Sequence, residues 1–304
     1  MERYTNLLII CLISLYFIKP CYSQFQFISE YCIDTNGNYT ANSTYHNNLK
    51  FMLSSLTAQA NLSLFNNDTV GEGFDQTYGL FMCRGDLSVT QCHDCVVEAS
   101  TTILKKCPTE QEAVVWFNQC MVRYANYYIF SLFKEAPMVY AWSSQNVSDP
   151  ETFGEIYSKT VDDLIMQSAY NTSSLGYATG QANVTLFEAV YVLAQCTPDI
   201  VGSQCERCLR VALRNMGGCC GTKRVRLAMY LPSCWLRYDQ IPVVGEFEVS
   251  AASTPSSISS SNSFDAKPSS SSLPPPSSSP GNKFTSYCRY FQRIGKIWAV
   301  LDFE

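Results

Sequence analysis

The stretch "CRGDLSVTQCHDC" occupies residues 83–95, and "CTPDIVGSQCERC" occupies residues 196–208. Both set three cysteines as C-x8-C-x2-C and share little else. The register runs outward from there. Cys83, Cys92, Cys95 and Cys107 recur 113 positions later as Cys196, Cys205, Cys208 and Cys220, and Cys120 recurs 114 later as Cys234. The flanking text agrees, "TYGLFMC" with "VYVLAQC" and "QCMVRYAN" with "SCWLRYDQ". This is a tandem duplication of units of about 100 residues. Units that small bury limited core, so cross-links worth on the order of 2–4 kcal/mol each matter to them.

The N-terminus says why the cysteines can be cross-linked. Arg3, an apolar run from Leu7 to Ile18 and a small Ser23 before Gln24 form a secretory signal peptide over residues 1–23. The run is about a dozen residues, against roughly 20 for a bilayer span. Its removal takes Cys11 and Cys21 and leaves thirteen of the fifteen cysteines in an oxidising compartment. Sequons at Asn38, Asn42, Asn61, Asn67, Asn146, Asn171 and Asn183 fit that route as glycosylation sites. With a net charge of −5 there is no basic footprint for nucleic acid.

Within the first unit, Leu49, Met52, Leu53 and Leu56 fall at helical spacing behind the cap-like Asn42-Ser43 and predict a helix over about 45–58. A second helix over 91–106 puts Cys92, Cys95, Val96, Ala99, Ile103 and Leu104 on one face. Alternation in "GFDQTYGLFMC" and "AVVWFNQCMVRYANYYIF" predicts strands. The second unit repeats the plan with "FGEIYSKTVDDLIMQSA" and "QCERCLRVALRNM" as helices and "RLAMYLPSCWLRYD" as a strand. Helices over a sheet is the economical architecture.

Catalytic chemistry has little to stand on. Cys92-His93-Asp94-Cys95 has the spacing of a redox or zinc motif, yet its repeat, Cys205-Glu206-Arg207-Cys208, lacks the histidine. The two histidines, His46 and His93, sit in no nucleophile motif, and the pair Asp162-Asp163 reads as a solvated helix face. The expectation is therefore a protein without catalytic residues, metal or cofactor.

The cysteine pattern resembles the ginkbilobin-homologous, salt-stress and antifungal domain of plants. Two copies behind a signal peptide resemble the cysteine-rich-repeat secretory proteins and the ectodomains of cysteine-rich receptor-like kinases, over about residues 28–245. The resemblance implies an α+β fold, with two helices on a five-stranded antiparallel sheet in each unit. It implies bridges Cys32–Cys107, Cys83–Cys92 and Cys95–Cys120, then Cys196–Cys205 and Cys208–Cys234. The second unit has no counterpart of Cys32, which leaves Cys219 and Cys220 as either a vicinal disulfide or thiols, and Cys288 unassigned. Lectin-like members bind mannose through an Asn, an Arg and a Glu. Those positions here carry Ile33, Val114 and Ala125, and in the second unit Ala228 and Asp239, so a directional hydrogen-bonding set for sugar hydroxyls is missing.

The expected organisation is a first domain over 24–133, an inter-domain segment over 134–149, a second domain over 150–248, a Ser/Pro-rich linker over 249–283 and an atypical tail over 284–304. The tail's apolar run Ile297–Leu301 is too short for a span, so the reading is a truncated receptor ectodomain, or a gene model that left its frame, released to the apoplast. The connecting stretch carries Pro137, Val139, Tyr140 and Trp142 and is too aromatic for a free tether. Residues 138–142 are expected to pack at the seam or to form an edge strand of the first unit. The function implied is non-enzymatic recognition of an unknown extracellular protein or glycan in stress or defence signalling; the alternative is a directly antifungal, carbohydrate-binding protein.

Overall fold

Each unit is built from helices whose starts are written locally. The computed structural model describes residues 25–171, 173, 175–200, 202–219 and 224–242, with strand backbone at 287–288 and 300–303. The signal peptide, the linker, Cys220 and the side chains of Cys219 and Cys288 lie outside the described residues. Helix α1 (Thr44–Gln59) begins where the Ser43 side chain accepts the His46 amide, and it buries Tyr45, Leu49, Met52, Leu53 and Leu56. Helix α2 (Val89–Lys106) begins on a capping box between Ser88 and Gln91 and ends with Lys105 and Lys106 at its negative pole. In the second unit α3 (Pro150–Tyr170) has Asp149 as N-cap and a proline in its first turn, and α4 spans Gly202–Cys219.

The first sheet comprises β1 (Phe27–Asn38), β2 (Phe65–Val70), β3 (Thr77–Cys83), β4 (Glu110–Phe117) and β5 (Cys120–Ala125), in the order β1-β4-β5-β3-β2. The second repeats that order as β6-β9-β10-β8-β7, from β6 (Val139–Ser143), β7 (Tyr177–Asn183), β8 (Ala189–Cys196), β9 (Arg226–Tyr230) and β10 (Cys234–Asp239). Neighbours within each five-stranded set are antiparallel. Beyond β6, β12 (Val300–Phe303) pairs parallel to it and β11 (Tyr287–Cys288) pairs with β12.

Two of the predicted strands divide. The stretch 113–130 covers β4 from Ala113 onward and all of β5, parted by Asn118-Gln119, and residues 226–239 hold β9 and β10 around Leu231-Pro232-Ser233. The segment Val139–Ser143 belongs to neither a tether nor the first unit. It is a strand of the second sheet, paired antiparallel to β9, and it occupies there the place β1 has in the first sheet.

Candidate functional site at the seam between the two sheets

Cysteine spacing and strand register together fix the helices to the sheets. Cys83 ends β3 and Cys120 begins β5 directly opposite it, while Cys92 and Cys95 stand one helical turn apart on α2. The structure joins Cys83 to Cys92 and Cys95 to Cys120, so two neighbouring strand ends hold one face of the helix. Cys196 and Cys234, also directly opposite, hold Cys205 and Cys208 of α4 in the same way. Cys32 is joined to Cys107.

Each C-x2-C pair is thereby split between two bridges and offers no dithiol. Cys32, Cys107 and Glu110 lie within 4.8 Å of one another, but those sulfurs are bonded to each other and do not ligate a metal. His93 sits on the exposed side of α2 beside Asp94, at 3.2 Å. The His46 Nδ1 accepts the Asn42 amide at 2.9 Å and its ring stacks on Tyr39; burial, then the nearby Lys50, lowers its pKa. Asp162 accepts from Arg210 at 2.5 Å, and Asp163 borders a groove of about 430 Å³ between α3 and β7.

The helices cover one face of each sheet, and the other two faces meet. Ile28, Leu80, Met82, Val114, Trp116, Met121 and Ala125 of the first unit share one buried cluster with Val139, Ala141, Ala228, Tyr230 and Trp235 of the second. Polar contacts ring that cluster. Trp116 Nε1 donates to the Leu231 carbonyl at 3.3 Å, and Arg237 Nη1 donates to Asn118 Oδ1 at 2.5 Å. Gln195 bridges both ways, donating to the Cys83 carbonyl at 2.8 Å and accepting the Gly85 amide at 3.2 Å. A Cβ on Gly85 would come within 2.4 Å of the Tyr177 ring, so this approach of the units requires glycine.

Of the residues at the positions singled out by the lectin-like resemblance, Val114, Ala125 and Ala228 belong to this seam. Val114 is 1% exposed, Ala125 is fully buried and Ala228 is 4% exposed. Asp239 is buried and engaged with Arg226 and Arg237. Ile33 is half-buried, opposite Glu112 on β4.

Sequence reading passes over the charged centre beside them. Glu112 is 1% exposed and shares the outer face with Val114; it accepts from Tyr127 at 2.8 Å and from Asn36 and Lys134, with the Arg123 guanidinium 3.5 Å away. Three donors and one guanidinium engage this carboxylate, so it fastens the end of β1 and the chain after β5 to the sheet.

What the seam leaves open is helical and marginal. A groove of about 440 Å³ between α1 and α2 is lined by Lys50, Ser54, Thr57, Ser100, Thr101 and Lys105 among others. At the tip of the β7–β8 hairpin Leu186 and Phe187 are almost fully exposed. Of the seven sequon asparagines, six are exposed and Asn67 is half-buried.

Comparison with known proteins places these features in context. The family described as salt stress response/antifungal matches residues 31–127 and 141–241. The chain is 36% identical over 244 residues to cysteine-rich receptor-like protein kinase 25 of Arabidopsis thaliana, across 78% of this chain and 36% of the kinase, so it spans about a third of that relative's length. It is 33% identical to the putative cysteine-rich repeat secretory protein 7 of Arabidopsis thaliana, covering 71% of this chain and 76% of that one. It is also 33% identical to the antimicrobial ginkbilobin-2-like protein of Castanea crenata, covering 68% and 85%. Among solved structures, the tandem DUF26 ectodomain of the Arabidopsis thaliana cysteine-rich receptor-like protein PDLP8 superposes with a TM-score of 0.63 at 25% identity, covering 71% of this chain and 98% of that one. Among the described residues no helix is long and apolar enough to cross a membrane.

Proposed function

The chain belongs to the salt stress response/antifungal family, and from that membership we propose that it acts as an extracellular, non-enzymatic recognition module in stress or defence signalling. Its relatives include named secretory proteins and a receptor-like kinase, and the signal peptide and disulfide framework suit the apoplast. The observation that carries the reading is the seam: Val114, Ala125 and Ala228, which stand at positions the lectin-like resemblance singles out, are buried where the two units join. Contacts with a protein or glycan then fall to the helical grooves, the sheet edges and the exposed hairpin tip. Titration of mannose and mannan into the secreted protein by calorimetry should give no heat above dilution, and crosslinking on plant cell surfaces should capture a discrete partner.

A second reading, direct antifungal action, is favoured by the likeness to the antimicrobial protein of Castanea crenata. Hyphal growth inhibition by the purified protein together with mannan binding would support it and reject the first.

A further inference from the structure

Strand β2 sets one sequon apart from the other six. Residues two apart on a strand share a face, so Phe65, Asn67 and Thr69 line the outer side of this edge strand. Opposite them on β3 stand Met82, Leu80 and Tyr78, in that order. Leu80 and Met82 are buried in the seam, and Phe65 and Tyr78 pack on its border half-covered. Three rings meet at that border: Tyr78 lies 5.9 Å from both Tyr128 and Phe130, and those two lie 5.3 Å apart, all edge-to-face. Phe130 is buried, while Tyr128 is 55% exposed although it continues the same aromatic surface.

We propose that the N-linked glycan of Asn67 lies along this surface, its core N-acetylglucosamine covering Phe65, Tyr78 and Tyr128 and closing the rim of the seam. Asn67 is half-buried, so a sugar on it starts at the level of its neighbours rather than above them. Side chains diagonal to each other on paired strands are about 7–8 Å apart, within reach of aromatic groups, and Asn67 has that relation to Tyr78. A pyranose offers a face of C–H bonds with partial positive charge, and an aromatic ring offers a negative face with an apolar body. The other sequons stand on exposed turns, caps and strand ends. The ligand is thus the chain's own glycan, and the site is Phe65–Tyr78–Tyr128.

The inference rests on passage through the secretory pathway, which is part of the function proposed above. Glycopeptide mass spectrometry of the full secreted chain separates the two. Glycans at none of the seven sites would sink secretion and this inference together; glycans at Asn38 or Asn61 but not at Asn67 would sink this inference alone. With Asn67 occupied, Asn67→Gln should lower the melting midpoint by about 2–4 °C in the parent, and by less than half of that in Tyr128→Ala. Tyr128 is largely exposed, so its truncation leaves the fold intact. Trimming to a single N-acetylglucosamine should keep the effect. Equal losses in both backgrounds, or no loss in the parent, would overturn it.

Discussion

Trp142 stands opposite Leu227 in the second sheet where Cys32 stands opposite Ala113 in the first. Leu227 lies 114 residues after Ala113, the offset that carries Cys120 to Cys234, so a tryptophan holds the place of the first cysteine. Its ring stacks on Tyr140 at 5.1 Å and packs against the second unit's own core, while Val139 and Ala141 face the seam. Trp142→Ala should therefore cost about 2 kcal/mol, less than a fully buried tryptophan, or roughly 4–8 °C in the melting midpoint. Thermal unfolding should register that loss while the spacing of the units stays put. Separation of the units in Trp142→Ala, with Ala141→Glu left tightly joined, would reverse these assignments.

Placing the lectin-like mannose set on this chain should not create mannose binding. Ile33→Asn, Val114→Arg and Ala125→Glu together place an ionised pair inside a buried cluster, and the introduced guanidinium would face Arg123, which stands opposite Val114 in the strand register. The cost is on the order of several kcal/mol. The triple variant should unfold at lower temperature and give no heat with mannose. A stable variant that binds mannose would mean that the face is open.

Glu112 offers a separate check on the region. Glu112→Ala removes the carboxylate that Arg123 and Lys134 share among the described residues and leaves a buried guanidinium uncompensated, at about 3–5 kcal/mol. Urea midpoints should fall accordingly, and Glu112→Ala combined with Arg123→Met should recover part of the loss. If the double variant is no better than the single, the charge pairing is not what Glu112 supplies.

The helices are legible in the sequence because their signals are local. Leu49, Met52, Leu53 and Leu56 give the stripe of α1, and the i, i+3 cysteines give the inner face of α2. The strands are blurred because alternation needs one wet face: all six residues of β5 are buried, as are all six of β10, with helices on one side and the other unit on the other. Strand β6 reads as connecting segment because its unit lacks the cysteine that flags β1. Glu112 escapes a sequence reading since neither glutamate of "EQEAVVWF" sits in a motif. Only the pairing of β4 with β1 and β5 brings Asn36, Arg123 and Tyr127 around it. Its place directly before the apolar run "AVVWF" is the available hint.

Small-angle scattering tests most directly whether the two units form one body. The protein truncated after residue 242 and freed of its glycans leaves about 220 residues, for which a compact chain has a radius of gyration of about 17 Å. The seam predicts a profile close to that value, fitted by a single arrangement of the two sheets and unchanged by salt, because the joining cluster is apolar. A profile that demands widely varying distances between the two unit centres would contradict it, since Val114, Ala125 and Ala228 would then lie open to solvent.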